Sequence, residues 1–343
     1  MFDTLVGNDQ VKAIIRRLMA GGRVPNSLLF AGDEGVGKRQ FAIEIARSFV
    51  CTEPNDATAC RVCSACRRVD KFVIPPSEKG DDYDRVFFSD HPDVGTVVPF
   101  KRNVRIGSIR ALEREANYNP FEAKARFFIV DAAEKMADPA ANALLKTLEE
   151  PPPTTHIFLI TSRPDSLLPT IRSRCQMLRF APVEIDKVER YLIDERAFTH
   201  DEAHIAAKLS RGSIGRAVSI NVEKFRARRE RMLTVLKSSI GNIDRTELLR
   251  TSEELQDAKN KETFEENLEI LETLIHDIWI LKMSGDAGKL VNTDQLDEIT
   301  NLAEKAPEDL AGWLEMTEKL RQELAVNINR KVATDALFMS MAG

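Results

Sequence analysis

The segment from Gly32 to Lys38 reads Gly-Asp-Glu-Gly-Val-Gly-Lys, a pattern of residue types suited to holding phosphate. Glycines let backbone N–H groups point at phosphate oxygens, and the lysine reaches the outer phosphates. An apolar strand pattern at 27–30 precedes the segment, and a helical pattern at 40–46 follows it, so a helix N-terminus adds positive potential. The sequence predicts a P-loop that binds nucleotide through Gly32, Gly35, Gly37 and Lys38; the alternative is a glycine-rich turn without a ligand.

Two residues of this site depart from an ATP-hydrolysing pattern. At position 39 a Ser or Thr hydroxyl normally ligates Mg²⁺, but the residue is Arg39, which cannot ligate a cation. Asp131 ends a buried strand pattern and can still assist Mg²⁺, yet the residue after it is Ala132, where hydrolysing proteins usually carry a glutamate general base. Glu134 is an alternative base. Both departures argue against Mg²⁺ binding and hydrolysis, whereas binding of ATP or ADP stays open.

Four of the five cysteines form a cluster with metal-ligand spacing: Cys51, Cys60, Cys63 and Cys66. Four thiolates with two short Cys-x2-Cys links match a tetrahedral structural zinc site. The alternative is a set of four free buried thiols. Cys175 is remote in sequence and is not expected to be a ligand.

Basic residues surround this cluster, namely Arg61, Arg67, Arg68 and Lys71. They can contact nucleic-acid phosphates or simply form a solvated basic face, and the second interpretation is favoured. The net charge of −5 also argues against a broad surface that coats nucleic acid.

Composition places the chain among ordinary globular proteins. It has 343 residues, 43% of them apolar and 30% charged, which allows two or three domains. The N-terminus lacks a basic region followed by an apolar run, and no stretch approaches the roughly 18 apolar residues of a membrane span. We therefore expect a cytoplasmic protein without a membrane partner.

The distribution of prolines divides the chain near residue 182, because only Pro307 lies beyond it. Before that point, strand patterns at 27–30, 126–130 and 156–160 alternate with helical patterns, which predicts a parallel sheet. After it the chain reads as helical, with an interruption at 211–215. The apolar residues Phe264, Leu268, Leu271, Ile275 and Ile278 recur at steps of three and four and predict one buried helix face.

Longer motifs carry a resemblance that covers nearly the whole chain. Residues 6–10 read Val-Gly-Asn-Asp-Gln, residues 91–93 read His-Pro-Asp, and residues 141–152 read Ala-Asn-Ala-Leu-Leu-Lys-Thr-Leu-Glu-Glu-Pro-Pro. Residues 168–175 end in Ser-Arg-Cys. With these motifs the chain resembles the AAA+ ATPases and, within them, the delta-prime family of bacterial DNA polymerase III clamp-loader subunits.

The resemblance implies an α/β plus all-α fold in three domains. These are an AAA+ P-loop parallel-sheet domain at 1–180 with a zinc module inserted at about 51–70, a small helical lid at 181–225, and a helical collar domain at 226–343 that joins subunits into a ring. The task of residues 77–101 is not assigned by it.

The resemblance also implies roles for individual residues. Arg174 in the Ser-Arg-Cys motif would enter the ATP site of a neighbouring subunit as an arginine finger. Thr161, or else Ser162, matches the polar sensor after the fourth strand, and Arg216 looks like the second sensor.

By the same resemblance the chain would be a stator that is not catalytic alone within the DNA polymerase III holoenzyme. Its partners would be the gamma/tau and delta subunits, with the sliding clamp and primed DNA reached through the complex. Two alternatives remain: a gamma/tau-type subunit that hydrolyses ATP, and a zinc-dependent DNA-binding module with a vestigial P-loop.

Overall fold

A computed structural model describes residue 2 and residues 4–21, 24–55, 58–241, 243–256, 261–323 and 329–343. The chain divides into two compact units, one of Met1–Ala203 with Ser210–Ser219 and the other of His204–Leu209 with Ile220–Gly343. Among the residues just given, no helix is long and apolar enough to reach across a bilayer.

The first unit contains a six-stranded sheet. Its strands are β1 Ser27–Ala31, β2 Phe87–Phe88, β3 Val94–Val97, β4 Arg126–Val130, β5 Thr155–Thr161 and β6 Gln176–Arg179. Their order across the sheet is β2-β3-β4-β5-β1-β6. β2 pairs with β3 antiparallel, and every other pairing is parallel. The predicted strands and the predicted parallel sheet are therefore confirmed.

Eight α-helices of the described chain belong to this unit: α1 Asp9–Ala20, α2 Lys38–Val50, α3 Ser64–Arg68, α4 Ile106–Ala116, α5 Asp138–Glu149, α6 Pro169–Arg172, α7 Ile185–Arg196 and, after the intervening α8 His200–Leu209, α9 Ile214–Ser219. Helix α8 begins in this unit and continues into the second. Both faces of the sheet are covered, which explains why β1, β4 and β5 are buried at every position. Side chains alternate between two cores, so that Phe30 packs in one and its neighbour Leu29 in the other.

The strand order brings the candidate nucleotide residues together. β4, β5 and β1 are neighbours, and their carboxyl ends lead into Asp131, Thr161 and Gly32. The amide of Gly32 donates to the Thr161 carbonyl at 3.2 Å. Carboxyl ends of parallel strands meet at one edge of a sheet, which is where open α/β sheets bind ligands.

The second unit is helical in its described residues. It contains α10 Val222–Ser239, α11 Arg245–Gln256, α12 Lys261–Ser284, α13 Leu296–Lys305, α14 Leu310–Glu323 and α15 Arg330–Met341. The predicted apolar face lies on α12, where Phe264, Leu268, Leu271, Ile275 and Ile278 are each at most 2% exposed. The predicted α/β plus all-α fold class is confirmed, while the domain limits at 180 and 225 stay predictions.

A buried carboxylate anchors the connection that follows α12. Asp277 is fully buried and accepts hydrogen bonds from the amides of Val291 and Asn292 and from the Asn292 side chain, at 2.9, 2.8 and 2.8 Å. Charge-assisted bonds of this kind are stronger than neutral ones. They hold the segment before α13 against α12.

Candidate functional site

The predicted P-loop connects β1 to α2 with the backbone that a phosphate cradle requires. Gly35 and Gly37 have φ angles of 77° and 99°, a left-handed conformation that glycine adopts without a steric penalty. α2 begins at Lys38, so its N-terminal amides and its dipole face the loop. The local geometry is that of a phosphate-binding turn.

The Lys38 side chain contacts the backbone of its own P-loop. Its Nζ donates to the carbonyls of Gly32 and Asp33, both at 2.6 Å, and the residue is 6% exposed. Burial lowers the pKa of Lys38, against the charges of Glu134 and Asp131, which raise it. A phosphate that engages this ammonium group must therefore compete with two short hydrogen bonds.

Arg39 pairs with the aspartate that would otherwise assist a metal. Its Nη1 lies 3.1 Å from Asp131 Oδ2 and 3.4 Å from Thr96 Oγ1, and its guanidinium sits 5.3 Å from the centre of the Phe72 ring. Arg39 and Asp131 come together because their segments follow strands of the same sheet edge. A fixed positive charge thus occupies the neighbourhood in which P-loop proteins place Mg²⁺.

Glu134 lies beside the end of β5. One carboxylate oxygen accepts from the Ser162 hydroxyl at 2.6 Å and from the Ser162 amide at 3.4 Å. The other, Oε2, is buried and has no hydrogen-bond partner among the residues that the structure describes. Burial works to raise the pKa of Glu134, but hydrogen bonds, chiefly from Ser162, outweigh it and lower that pKa. Thr161 itself is fully buried, and its hydroxyl accepts from the Arg163 amide. Of the two sensor candidates, Ser162 is the one that bonds the Glu134 carboxylate at hydrogen-bond distance.

The segment that carries Arg216 contacts the P-loop directly. The Gly215 amide donates to the Gly35 carbonyl at 2.9 Å, and a Cβ on Gly35 would lie 2.2 Å from the Ser213 hydroxyl. Arg216 lines a cavity of about 1120 Å³ together with Lys38, Arg39 and Asp131. The structure therefore gathers Gly35, Gly37, Lys38, Asp131 and Arg216 at one cavity, whereas Gly32 and Thr161 do not line it.

Arg174 does not line the cavity that contains Lys38 and Arg216. It follows α6 and precedes β6, and its side chain is 33% exposed. Nη2 lies 2.5 Å from Glu149 Oε1, and Nη1 donates to the Thr170 carbonyl at 2.9 Å. The structure therefore separates Arg174 from the P-loop cavity of its own chain, while its role as a finger stays a prediction.

The four clustered cysteines converge as predicted. Their sulfur atoms all lie within 4.8 Å of one another, with those of Cys60 and Cys66 at 4.0 Å. Zn–S bonds of about 2.3 Å in a tetrahedron place sulfurs about 3.8 Å apart, close to this arrangement. Backbone amides of Cys60, Cys63 and Cys66 donate to the sulfurs of Cys51, Cys60 and Cys63 at 3.2 to 3.4 Å. The cluster could hold a metal ion.

The cysteine environment favours thiolate at one position. Burial works to raise the pKa of Cys63, but hydrogen bonds from Thr52 and the Cys66 amide lower it to about 5. Cys175 behaves oppositely, because burial alone raises its pKa to about 12 and keeps it a protonated thiol. It is outside the cluster, as predicted.

A charged network joins the cysteine cluster to α2. Glu44 is 6% exposed and pairs with Arg47 on its own helix and with Arg61 of the cysteine segment, the latter at 2.6 Å. Arg47 also reaches Asp70 at 2.5 Å and donates to the Cys66 carbonyl at 3.2 Å. The helix that begins at the P-loop and ends beside Cys51 is therefore tied to the cysteine segment at several points.

Ion pairs within the chain engage some of the basic residues around the cysteine cluster. Arg61 is engaged with Glu44, and Arg68 pairs with Glu122 at 2.5 Å. Arg67 and Lys71 are exposed. Two of the four basic side chains are thus neutralised within the chain, which weakens a nucleic-acid interface at this place.

Sequence reasoning missed Glu44, Arg47 and Glu149 as parts of these sites. Glu44 and Arg47 stand three residues apart on a helix, a spacing at which opposite charges meet. Their burial carries no signal in the sequence, because it depends on the cysteine segment that covers them. Glu149 belongs to the Leu-Lys-Thr-Leu-Glu-Glu-Pro-Pro string, but nothing in that string points to Arg174.

Comparison with known proteins agrees with these features. The family model described as DNA polymerase III, delta subunit matches residues 7–184, and the model described as DNA polymerase III, delta subunit, C terminal matches residues 223–336. The two matches lie on either side of the segment that carries Arg216.

Individual proteins similar to this chain are also subunits of DNA polymerase III. DNA polymerase III subunit delta' of Escherichia coli (strain K12) is 30% identical over 92% of this chain and 89% of its own length. The subunit delta' of Bacillus subtilis (strain 168) is 35% identical over 52% of this chain, a match that spans about half, 49%, of that protein. DNA polymerase III subunit tau of Escherichia coli (strain K12) is 24% identical over 76% of this chain and 39% of its own length. The chain belongs to the DNA polymerase III delta-prime subunit family.

Proposed function

We propose that this chain is the stator subunit of the bacterial replicative clamp loader, which completes the ATP site of a neighbouring subunit through Arg174 and does not hydrolyse ATP itself. The observation that carries the proposal is the contrast between two arginines. Arg39 neutralises the acidic residue of its own P-loop site, whereas Arg174 lies outside that site with a partly exposed guanidinium.

Three features of the P-loop cavity support the absence of hydrolysis. Mg²⁺ normally bridges the β- and γ-phosphate oxygens, and Arg39 replaces its hydroxyl ligand while pairing with Asp131. Ala132 offers no carboxylate for the attacking water, and general-base catalysis is typically worth about 10²- to 10⁴-fold. Lys38 bonds to carbonyls of its own loop. An ATP or ADP molecule can still meet the loop amides and Arg216, but the chain does not supply the residues for its cleavage.

In the neighbour's site, Arg174 would stabilise charge on the transferred phosphoryl group. An arginine finger supplied by another subunit contributes about 10³- to 10⁵-fold in turnover. Its guanidinium offers five N–H donors in a planar fork, which matches phosphate oxygens. Arg174 can therefore control ATP hydrolysis in the ring although its own chain is inactive.

The four cysteines are proposed to hold zinc. Four thiolates closing a tetrahedron leave no open coordination position, which is the arrangement of a structural site rather than a catalytic one. The bound ion would fix the segment that carries Arg61 and the Cys66 carbonyl, and thereby the charged contacts to Glu44 and Arg47 on α2. Zinc is thus assigned a structural role beside the P-loop helix.

We assign the helical region at 226–343 to a collar that joins this chain to gamma/tau and delta subunits, the residues at 181–225 to the lid, and those at 1–180 to the AAA+ domain. Through that assembly the complex would act on the sliding clamp and primed DNA. The family membership and the match of a separate model to residues 223–336 support this division.

One observation favours a second candidate, a gamma/tau-type subunit with residual hydrolysis. Glu134 carries a buried carboxylate oxygen without a hydrogen-bond partner, near the end of β5. A general base must lie within hydrogen-bond distance of the attacking water, about 3 Å, or reach it through one bridging water. Magnesium-dependent ATP turnover by the isolated chain, lost in both Lys38→Ala and Glu134→Gln, would establish this candidate in place of the first.

The decisive experiment is reconstitution of the clamp loader with Arg174→Ala. ATP hydrolysis stimulated by primed DNA and clamp should fall at least about tenfold at the one site that Arg174 completes, because that site loses its transition-state arginine. Arg172→Ala is the matched control, since Arg172 stands two residues away and forms a comparable ion pair with Asp165 at 2.7 Å. Equal rates for wild type and Arg174→Ala would refute the assigned role.

A further inference from the structure

The guanidinium of Arg174 is clamped from two directions by groups of its own chain. The Glu149 carboxylate lies 2.5 Å from Nη2, and the Thr170 carbonyl accepts from Nη1 at 2.9 Å. The Thr170 carbonyl uses one of the five N–H donors and the Glu149 carboxylate forms an ion pair, so at least three donors remain to meet phosphate oxygens. The clamp thus orients the group without exhausting its donors.

Glu149 is exposed, but the helix that it ends is anchored in a packed core. Glu149 is the last residue of α5, whose Leu144 and Leu148 are buried in the same hydrophobic core as Ile171 of α6 and Cys175. Pro151 follows shortly and prevents the helix from continuing. The carboxylate and the arginine therefore project from elements that share one core, which sets the distance between them.

A neighbouring ion pair shows what an ordinary surface contact looks like in the same region. Arg172 donates to Asp165 at 2.7 Å, but the Asp165 side chain is 93% exposed, whereas that of Glu149 is 47% exposed. Exposed pairs contribute little because water and salt screen them. The two arginine side chains are equally exposed at 33%, so the pairs differ mainly in the carboxylate and in the added Thr170 contact of Arg174.

We infer that Glu149 is a positioning residue for the Arg174 finger. It does not touch nucleotide; it holds the guanidinium in one orientation, so that less side-chain freedom is lost when the neighbour's phosphates arrive. Arginine has several rotatable bonds, and fixing them before docking lowers the entropic barrier to forming phosphate contacts. The inference rests on the proposed function, and it assigns a task to the Leu-Lys-Thr-Leu-Glu-Glu-Pro-Pro string.

Positioning predicts a particular kinetic signature. In a clamp loader reconstituted with Glu149→Ala, kcat for ATP hydrolysis stimulated by primed DNA and clamp should fall by about 3- to 10-fold, the expected effect of partly freeing one arginine side chain. KM for ATP should stay within about twofold, because an interaction made only in the transition state changes kcat. Glu149→Gln keeps an oxygen acceptor and should restore most of the rate.

Two further variants separate this inference from a structural effect. Asp165→Ala removes the neighbouring carboxylate and should leave the rate unchanged. In an Arg174→Ala background, Glu149→Ala should cause no additional loss, since its effect passes through the arginine.

The outcomes are distinguishable. If Arg174→Ala lowers the rate and Glu149→Ala does not, the positioning role is refuted while the finger stands. A higher rate in Glu149→Ala would mean that the carboxylate restrains the finger, and an equal loss in the Arg174→Ala background would mean a general structural effect; either result overturns the inference. If Arg174→Ala itself has no effect, the proposed function fails.

Discussion

Replacing Arg39 by threonine should make the P-loop cavity bind Mg²⁺ together with ATP. The substitution removes the cation that lies 3.1 Å from Asp131 and introduces the hydroxyl that P-loop proteins use as a magnesium ligand. Asp131 is then free to act on the ion from the end of β4, two strands from β1 in the sheet. Mg²⁺ should bind together with ATP in the variant and not in the wild type.

The size of the effect follows from Coulomb's law. A divalent and a unit positive charge about 4 Å apart repel by about 2 kcal/mol in water and by about 8 kcal/mol at an effective dielectric constant of about 20. The side chains of Arg39 and Asp131 are 29% and 35% exposed, so the lower value applies. Removing Arg39 should therefore strengthen Mg²⁺ binding at least about 30-fold, with the hydroxyl ligand adding to this.

The loss of the ion pair has its own cost. A pair exposed to this degree contributes up to about 1 kcal/mol, and the contact of Arg39 with the Phe72 ring adds about 0.5 kcal/mol. Arg39→Thr should accordingly lower the free energy of unfolding by about 1 kcal/mol in the absence of ligand. That change is small enough for the variant to remain folded.

Calorimetric titration of Mg²⁺ in the presence of ATP, with thermal unfolding as a second measurement, tests this reasoning. Arg39→Lys is the matched control, because it retains a positive charge and should gain no Mg²⁺ response. Asp131→Asn in the Arg39→Thr background should remove the response again. Magnesium-dependent ATP binding by the wild type, or no gain in Arg39→Thr, would refute the proposed part played by Arg39.

Two other predictions concern the metal and the pH dependence of stability. Chelation of the metal, or Cys60→Ser, should reduce bound zinc and make residues 51–72 sensitive to limited proteolysis. The control variant Cys175→Ser should retain the metal. Full zinc content in Cys60→Ser would contradict the ligand assignment. Burial lowers the pKa of His156 below its usual 6.5, against a contact with the Pro25 carbonyl. The unfolded chain therefore binds a proton on the His156 ring more tightly than the folded chain does, so the contribution of this residue to stability is complete above about pH 6.5 and declines below it. In denaturant titrations at several pH values, His156→Phe should make the free energy of unfolding less dependent on pH.

Much of the fold follows from local sequence patterns. The strand patterns at 27–30, 126–130 and 156–160 are continuous apolar runs because helices cover both faces of the sheet. The apolar face of α12 repeats every three or four residues because only one side of that helix is buried. Such patterns report which residues are buried, and they are therefore readable without a structure.

The metal-ligand cluster was also predictable, for a different reason. Four cysteines within a span of 16 residues are readily brought together, and short Cys-x2-Cys links match the spacing of ligands to one metal ion. Likewise, the P-loop is a single segment between one strand and one helix. The absence of a hydroxyl at position 39 and of a carboxylate at position 132 is visible in the residues themselves.

What the tertiary structure decided is which distant residue meets which. Arg39 and Asp131 are 92 residues apart, and only the order of strands in the sheet places them at 3.1 Å. Arg174 and Glu149 meet because α5 and α6 share a core. Local patterns carry no information about such partners, since the contact depends on how separate elements pack. The P-loop and Arg174 could be recognised from the sequence, but the cation that pairs with Asp131 and the carboxylate that pairs with Arg174 could not.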